Sequence, residues 1–303
     1  MSARAAREAA AIRQQPQRRA DRATRPWRAV AGLISLTLAG ALSACTAAPD
    51  GSSGQLIPPT PTVTFDPAQS SRLFPPESGR PGKVPLVVLV PGGGWTSADP
   101  TGLTGLATWL SQHGAAVVTV TYRTSSDGAY FPTTAQDVAC DVADAVARSR
   151  RAGVDTGEVT IVGHSAGAQL AAVVALTPGA FGAGCAEPAV APDRLAGLAG
   201  PYGVTQLGDL GSAIFAPGDH DPARRTAANP VALAGERPQL PVLLIHGTAD
   251  TTVPVSFTEQ FAAALVAGGH RVVSHYPDGV DHQSVYSASV AGPLIADWLG
   301  LAG

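Results

Sequence analysis

The 303-residue sequence has few charged and few aromatic side chains, and it contains one lysine, one methionine and three cysteines. Charged residues make up 14% of the chain, whereas hydrophobic residues make up 45%. This balance excludes a coiled coil, which needs many charged residues, and argues against intrinsic disorder, which needs low hydrophobicity. Nucleic acid is not an expected partner of the main body, because phosphate binding needs clustered lysines and arginines. The composition is that of a globular protein.

Most of the positive charge lies at the start of the chain. The whole sequence has a net charge of −3, but residues 1–28 contain eight arginines against Glu8 and Asp21, a net charge of +6. The remaining residues therefore carry −9. An uncharged apolar run follows over residues 29–42, which is shorter than the roughly 20 residues that span a bilayer. A basic segment followed by a short apolar run is typical of an export signal.

The apolar run ends in Leu42-Ser43-Ala44-Cys45. This tetrapeptide resembles the bacterial lipobox, and the resemblance implies that residues 1–44 are a signal peptide and that Cys45 carries a diacylglycerol. The mature protein would then be exported and anchored by its lipid to the extracytoplasmic face of the cell membrane, since two acyl chains suffice for stable anchoring. The alternative is an ordinary secretory signal with a chance cysteine, which would give a secreted protein.

Residues 45–82 are rich in proline, serine and glycine, so we expect them to form a semi-extended tether and not part of a core. One domain of about 220 residues then remains, over residues 83–303. No CxxC, HExxH or clustered histidine and cysteine pattern occurs in the sequence, so no metal site is predicted.

Two cysteines remain once Cys45 is lipidated. Cys140 and Cys185 form an even pair in an exported protein, and disulfides persist in oxidising compartments. We therefore predict a bond between them. Two buried free thiols are the alternative.

Short apolar runs alternate with segments of helical periodicity from residue 83 onward. Predicted strands cover 85–90, 115–122, 159–162, 195–199, 241–245 and 272–276, and predicted helices cover 101–113, 134–152, 164–176, 257–267 and 287–301. The alternation predicts a doubly wound, mostly parallel α/β sheet in a single domain. We expect Thr134 to cap the second helix. Residues 203–239, rich in glycine and proline, are predicted to form an insertion or cap over the sheet.

One motif joins a predicted strand to a predicted helix. Gly163-His164-Ser165-Ala166-Gly167 has the pattern G-x-S-x-G, which in this setting is typical of a nucleophile elbow, where the serine lies on a sharp, strained turn. The glycines are needed because side chains at their positions would strike neighbouring backbone. A glycine-rich turn with an exposed serine is the alternative. We predict that Ser165 is a nucleophile at the N-terminus of a helix.

A serine hydroxyl is a weak nucleophile and needs a base that a carboxylate orients. In the strand–elbow–helix setting, the order along the chain is serine, then acid, then histidine. Asp250 follows the strand that ends at Ile245, and His282 lies between the last strand and the last helix. Both positions fall at the carboxyl edge of a parallel sheet, so we predict a triad of Ser165, Asp250 and His282.

A glycine-rich stretch follows the first predicted strand. Residues 91–95 read PGGGW, and residues without side chains let backbone N–H groups approach an oxyanion. The expected donors are the N–H groups of Gly93, Gly94 and Ala166. A flexible turn is the alternative.

Together these motifs resemble the α/β-hydrolase superfamily, specifically its esterase/lipase branch with an HGGG(W) oxyanion motif, which includes feruloyl-esterase-like and formamidase-like enzymes. The resemblance covers residues 83–303. It rests on PGGGW, VTYR over 120–123, Phe131-Pro132 with Asp137, GHSAG, GPY over 200–202, Asn229-Pro230, HGTAD over 246–250 and His282. Pro91 stands where the family usually has histidine, so a hydrogen bond from that histidine must be absent or replaced.

The resemblance also suggests roles for other residues. Trp95 and Tyr202 are candidates to line an acyl pocket, with ordinary packing as the alternative for each. Tyr122, Arg123 and Asp137 are interpreted mainly as structural residues, and a pair between Arg123 and Asp137 is one option for this role.

We therefore expect a serine hydrolase that cleaves small-molecule carboxylic esters through an acyl-enzyme, without a cofactor and without an obligate protein partner. One alternative is a peptidase, amidase or formamidase that uses the same triad. The other is a non-catalytic surface lipoprotein that uses the fold for binding.

Overall fold

The protein is built on one mostly parallel sheet, as seen in a computed structural model that describes residues 71–77 and 82–301. The strands are β1 (Arg72–Phe74), β2 (Val84–Val90), β3 (Ala116–Thr119), β4 (Thr156–His164), β5 (Arg194–Leu198), β6 (Val242–Ile245) and β7 (Val272–His275). Within the described residues their order is β1-β3-β2-β4-β5-β6-β7. Only the β1–β3 pair is antiparallel. The predicted doubly wound, mostly parallel sheet is confirmed.

Helices connect the parallel strands. They are α1 (Thr104–Gln112), α2 (Thr133–Arg151), α3 (Ala166–Leu176), α4 (Pro222–Ala227), α5 (Ser256–Ala267) and α6 (Ala291–Leu299), with short 3₁₀ turns between them. Over residues 71–77 and 82–301, no helix has both the length and the apolar character needed to cross a membrane.

The sheet is buried on both faces, which explains why its central strands are continuous apolar runs. Along β2, Leu86 and Val88 belong to one core cluster, whereas Val87 and Leu89 belong to the other. The first cluster contains side chains of α2, α3 and α5, and the second contains side chains of α1 and α6. The 11 residues of α3 are all buried, so this helix lies in the centre of the fold and rigidly supports the turn that precedes it.

Two helix ends differ from the sequence prediction. Thr134 does not cap α2, because the helix begins at Thr133 directly after Pro132, whose side chain offers no cap, and the Thr134 hydroxyl is buried without a partner among the described residues. The last helix begins at Ala291 and not at 287, because a 3₁₀ turn and a short loop occupy the preceding residues. Gly153 follows the end of α2 with a left-handed φ of 76°, a conformation that glycine adopts without steric cost after a helix.

The folded domain starts earlier than residue 83. The three residues of β1 pair with β3, and Phe74 is 8% exposed and packs into the second cluster. The predicted end of the tether at residue 82 is therefore too late. A three-residue strand followed by Pro75 and Pro76 has too little apolar pattern to be separated from a proline-rich spacer. Cys45, the signal segment and the rest of the tether lie outside the described residues.

The segment 203–239 is irregular apart from α4 and two 3₁₀ turns. It is also packed into the domain, since Val204 and Ile214 are buried in the same cluster as α2 and α3. The backbone N–H of Phe131 donates to the carbonyl of Ile214 at 2.8 Å. That it acts as a cap over the site remains a prediction.

Two long-range links involve α2. Cys140 in α2 forms a disulfide with Cys185 in the loop after α3, with Cα atoms 5.1 Å apart. The Asp137 carboxylate accepts hydrogen bonds from Nε and Nη2 of Arg123, at 2.9 and 2.7 Å. Both pairings agree with the expectations from sequence.

Replacing both Cys140 and Cys185 with serine, in a Cys45→Ala background, is expected to lower the free energy of unfolding by about 2–4 kcal/mol. The reason is that the bond closes a 45-residue loop in the unfolded chain. Urea unfolding measures the change. A reducing agent should have the same effect on the Cys45→Ala protein and none on the variant without the three cysteines. An unchanged free energy would mean that the bond does not form in solution.

Candidate active site

Ser165 lies at the junction of β4 and α3, in a strained conformation. Its φ of 51° and ψ of −123° are unusual for a residue with a side chain. A Cβ at Gly163 would collide with the backbone of Gly167, and a Cβ at Gly167 would collide with the carbonyl of Pro91. This is the crowding that the G-x-S-x-G pattern predicts. The backbone N–H of Ser165 donates to the carbonyl of Leu198 at 2.9 Å, which ties the turn to β5.

The structure brings Ser165, His282 and Asp250 together although they are far apart in the sequence. The Nε2 atom of His282 lies 2.9 Å from Ser165 Oγ, and its Nδ1 atom lies 2.6 Å from Asp250 Oδ2. Because a carboxylate only accepts hydrogen bonds, Nδ1 of His282 carries the proton and its Nε2 accepts from the serine hydroxyl. In this arrangement the imidazole can take the serine proton.

The carboxylate of Asp250 is held by several donors. Its Oδ1 accepts the backbone N–H groups of Thr252 and Val253 at 2.8 and 2.9 Å. Burial raises the pKa of Asp250, but the hydrogen bonds from His282 and from these backbone groups outweigh burial and leave the pKa below its ordinary value. The group is therefore ionised at neutral pH and can stabilise a protonated His282.

His164, directly before the serine, contacts the loop that contains His282. Its Nε2 donates to the backbone carbonyl of His282 at 2.8 Å. Burial, together with the neighbouring His282, lowers the pKa of His164 to about 3. The ring is therefore neutral, and it acts as a fixed hydrogen-bond donor. Its other neighbour is the ring of Tyr286, with centroids 4.6 Å apart.

The glycine-rich loop lies directly against Ser165. A Cβ at Gly92 would be 2.9 Å from Cβ of Ser165, so only glycine fits at this position. Gly93, Gly94 and Trp95 have positive φ values of 132°, 61° and 59°. The N–H of Ala166 belongs to the first turn of α3 and has no acceptor within its own helix. Ala166 directly follows the serine, and Gly93 and Gly94 directly follow Gly92. That their N–H groups bind an oxyanion stays a prediction.

Side-chain hydrogen bonds hold the glycine-rich loop, including the carbonyl of Pro91 at its start. The hydroxyl of Tyr122 donates to the carbonyl of Pro91 at 3.1 Å. The indole N–H of Trp95 donates to Oε1 of Gln169 at 3.0 Å, and Nε2 of Gln169 donates to the carbonyl of Ala228 at 2.7 Å. Since Gln169 lies in α3, one turn after Ser165, it links the glycine-rich loop, α3 and the 203–239 segment.

The two residues considered for an acyl pocket are both buried. Tyr202 has no exposed surface, its ring stacks on Phe261, and its hydroxyl points at Gly197. The prediction that Tyr202 lines a pocket is therefore wrong for this structure, and its alternative as a packing residue holds. Trp95 is 3% exposed, and its indole N–H makes the hydrogen bond to Gln169 described above.

Three residues near the site were not assigned a role from sequence: His164, Gln169 and His246. His246 contacts Asp250, and its place four residues before the aspartate in HGTAD is the only sequence signal that could have found it. For Gln169 and His164 the partners are distant in sequence, so no local pattern indicates them.

An open cavity of about 200 Å³ lies next to the site. Its lining includes Gly92, Gly93, His164, Gln283 and Tyr286. In the described part of the chain, no group of three or more histidine, cysteine, aspartate or glutamate residues could hold a metal ion.

Comparison with known proteins gives a family match and two curated relatives. The BD-FAE family model matches residues 73–265. The esterase LipQ of Mycobacterium tuberculosis is 28% identical over 242 residues, which is 72% of this chain and 56% of that protein. A probable isoprenylcysteine α-carbonyl methylesterase of Oryza sativa subsp. japonica is 25% identical over 226 residues, 67% of this chain and 52% of that protein. The chain thus spans about half the length of these relatives.

Solved structures share the fold. A truncated carbohydrate esterase from gut microbiota aligns with a TM-score of 0.64 at 16% identity, covering 76% of this chain and 89% of that one. The propionate-bound esterase Est2 of Thermogutta terrifontis aligns with a TM-score of 0.61 at 20% identity, covering 77% of this chain and 90% of that one. At these identities the likeness is one of fold.

Proposed function

Because the chain belongs to the BD-FAE family of α/β-hydrolase esterases, we propose that it is a serine hydrolase that cleaves small-molecule carboxylic esters through an acyl-enzyme intermediate. The observation that carries the proposal is the continuous chain of hydrogen bonds from Ser165 Oγ through His282 to Asp250. The partner of the protein is the ester substrate. In the reaction described next, groups of this chain act on the substrate and on water.

In the first half of the reaction, Ser165 Oγ attacks the ester carbonyl while Nε2 of His282 takes the hydroxyl proton. The resulting imidazolium gives that proton to the leaving alcohol, and the acyl group stays on the serine. In the second half, His282 takes a proton from water, which attacks the carbonyl of the acyl-enzyme. The bond between Ser165 Oγ and the acyl group then breaks, His282 returns the proton to Oγ, and the acid is released. Asp250 keeps the imidazole in the required tautomer and balances its positive charge.

The tetrahedral intermediates place negative charge on the former carbonyl oxygen. The proposed donors for this oxygen are the N–H groups of Gly93, Gly94 and Ala166. Fixed donors of this kind stabilise the charge without reorganisation during the reaction, and the loss of one typically raises the barrier by roughly 3–4 kcal/mol. The partial positive charge at the N-terminus of α3 acts in the same direction.

We further propose that the protein is an exported lipoprotein anchored through Cys45. The support is the basic segment, the short apolar run and the tetrapeptide that ends at Cys45. Because the remaining chain carries a net charge of −9, electrostatic attraction to anionic lipids cannot replace the anchor.

Replacing Ser165 with alanine is expected to lower kcat/KM for p-nitrophenyl acetate by at least about 10³-fold, since the nucleophile is lost. The matched control is Ser289→Ala, an exposed serine in the loop before α6, which should retain activity. Retention of full activity by Ser165→Ala would contradict the assignment.

A comparison of substrates tests the preference for esters. Faster hydrolysis of aminoacyl anilides than of p-nitrophenyl esters would contradict this preference and favour the peptidase or amidase alternative.

Replacing Cys45 with alanine is expected to release the protein into the medium of a host that processes lipoproteins, because the lipid is the proposed anchor. Fractionation followed by immunoblotting measures the distribution, with the unchanged sequence as the membrane-bound control. A Cys45→Ala protein that stays in the membrane fraction would contradict lipid anchoring at this residue.

A further inference from the structure

A second histidine contacts the carboxylate of the proposed triad. His246 follows β6, and its Nε2 lies 3.0 Å from Asp250 Oδ2, the same oxygen that lies 2.6 Å from Nδ1 of His282. The side chains of His246 and Asp250 have no exposed surface. Two imidazoles therefore share one buried oxygen, whereas the proposed reaction uses only one of them.

The contacts of His246 determine which ring nitrogen carries its proton. Its Nε2 faces two acceptors, Asp250 Oδ2 and the backbone oxygen of Val253, each at 3.0 Å, so Nε2 is the donor. In a neutral imidazole Nδ1 is then an acceptor, and it lies 2.7 Å from the hydroxyl oxygen of Thr258, which donates to it. Burial lowers the pKa of His246 in spite of the opposing effect of Asp250, so the ring remains neutral.

We propose that His246 is a positioning residue, a neutral hydrogen-bond donor that holds Oδ2 of Asp250 in line with Nδ1 of His282. This inference rests on the proposed esterase function. A neutral donor suits the role because a second positive charge so close would oppose the imidazolium that forms on His282 during turnover. Thr258 contributes by keeping the proton of His246 on the nitrogen that faces the carboxylate.

Other titratable groups face these rings from the neighbouring elements. They are Asp250 after β6, His164 at the end of β4 and Asp281 directly before His282. His164 stays neutral, since burial lowers its pKa to about 3. The hydroxyl and backbone N–H of Ser284 lower the pKa of Asp281, so its carboxylate stays ionised. None of these three groups changes its charge near neutral pH.

The experiment compares two replacements of His246. His246→Leu removes the donor, whereas the side-chain amide of His246→Gln reaches about as far as Nε2 of the imidazole and can still donate. His270→Leu and His270→Gln are matched controls, because His270 is also buried, with its Nδ1 3.1 Å from the carbonyl oxygen of Leu240. It precedes β7 and lies at the amino edge of the sheet, opposite to the triad.

The measurement is kcat/KM for p-nitrophenyl acetate between about pH 5 and 9, where the acid limb reports protonation of the base in the free enzyme. The hydrogen bond from His246 stabilises the Asp250 carboxylate most when His282 is neutral, because no imidazolium then balances the negative charge. Loss of this hydrogen bond therefore favours the state in which His282 is protonated. We expect His246→Leu to move the midpoint of the acid limb upward by about 0.5–1 pH unit and to lower the plateau roughly tenfold. His246→Gln should restore most of both.

The controls separate positioning from stability. Both His270 variants should lower Tm and leave the acid limb where it is. If His246→Leu lowers Tm but has the acid limb of the unchanged protein, or if His246→Gln is no better than His246→Leu, the positioning role is wrong.

A second readout does not depend on turnover. NMR titration of the His282 ring, recorded in a Ser165→Ala background with and without His246→Leu, should show the same upward shift of its midpoint. Equal midpoints would overturn the inference. If the unchanged protein hydrolyses no ester while the two midpoints differ, the proposed function fails and the coupling between the rings stands.

Discussion

The structure depends on a backbone turn that has almost no free space around it. Ser165 can keep a φ of 51° because the turn is fixed on both sides by buried residues, the last six of β4 before it and all of α3 after it. The same packing leaves no room for a side chain at Gly163 or Gly167. A single steric constraint therefore explains why both of these positions are glycine.

Parallel strand register brings the remaining groups to that turn. Val90 pairs with Gly163, His164 with Leu198, and Ile245 with both Leu198 and His275, so the carboxyl ends of β2, β4, β5, β6 and β7 lie along one edge. The loops that follow these ends contain the glycine-rich stretch, the serine, the carboxylate and the histidine. Two neutral histidines contact this group of residues: His164 donates to the backbone carbonyl of His282, and His246 donates to the ionised carboxylate of Asp250.

Much of this could be predicted from sequence because it follows from local patterns. Continuous apolar runs and helical periodicity predicted the sheet, and G-x-S-x-G between a strand and a helix predicted the turn. The three-residue strand β1 was missed, since its pairing with β3 supplies the stability that its own sequence does not. The contacts of Gln169 with Trp95 and of Tyr202 with Phe261 join residues far apart in the chain, for which spacing contains no information.

The central claim is that the residue in the strained turn is the reacting group. The most direct measurement is to incubate the protein with a fluorophosphonate, which reacts with activated serines, and to locate the adduct by tandem mass spectrometry. We expect one adduct per chain, on Ser165, and we expect His282→Ala to abolish its formation because the serine then lacks a base. An unlabelled protein, or an adduct on another serine, would contradict it.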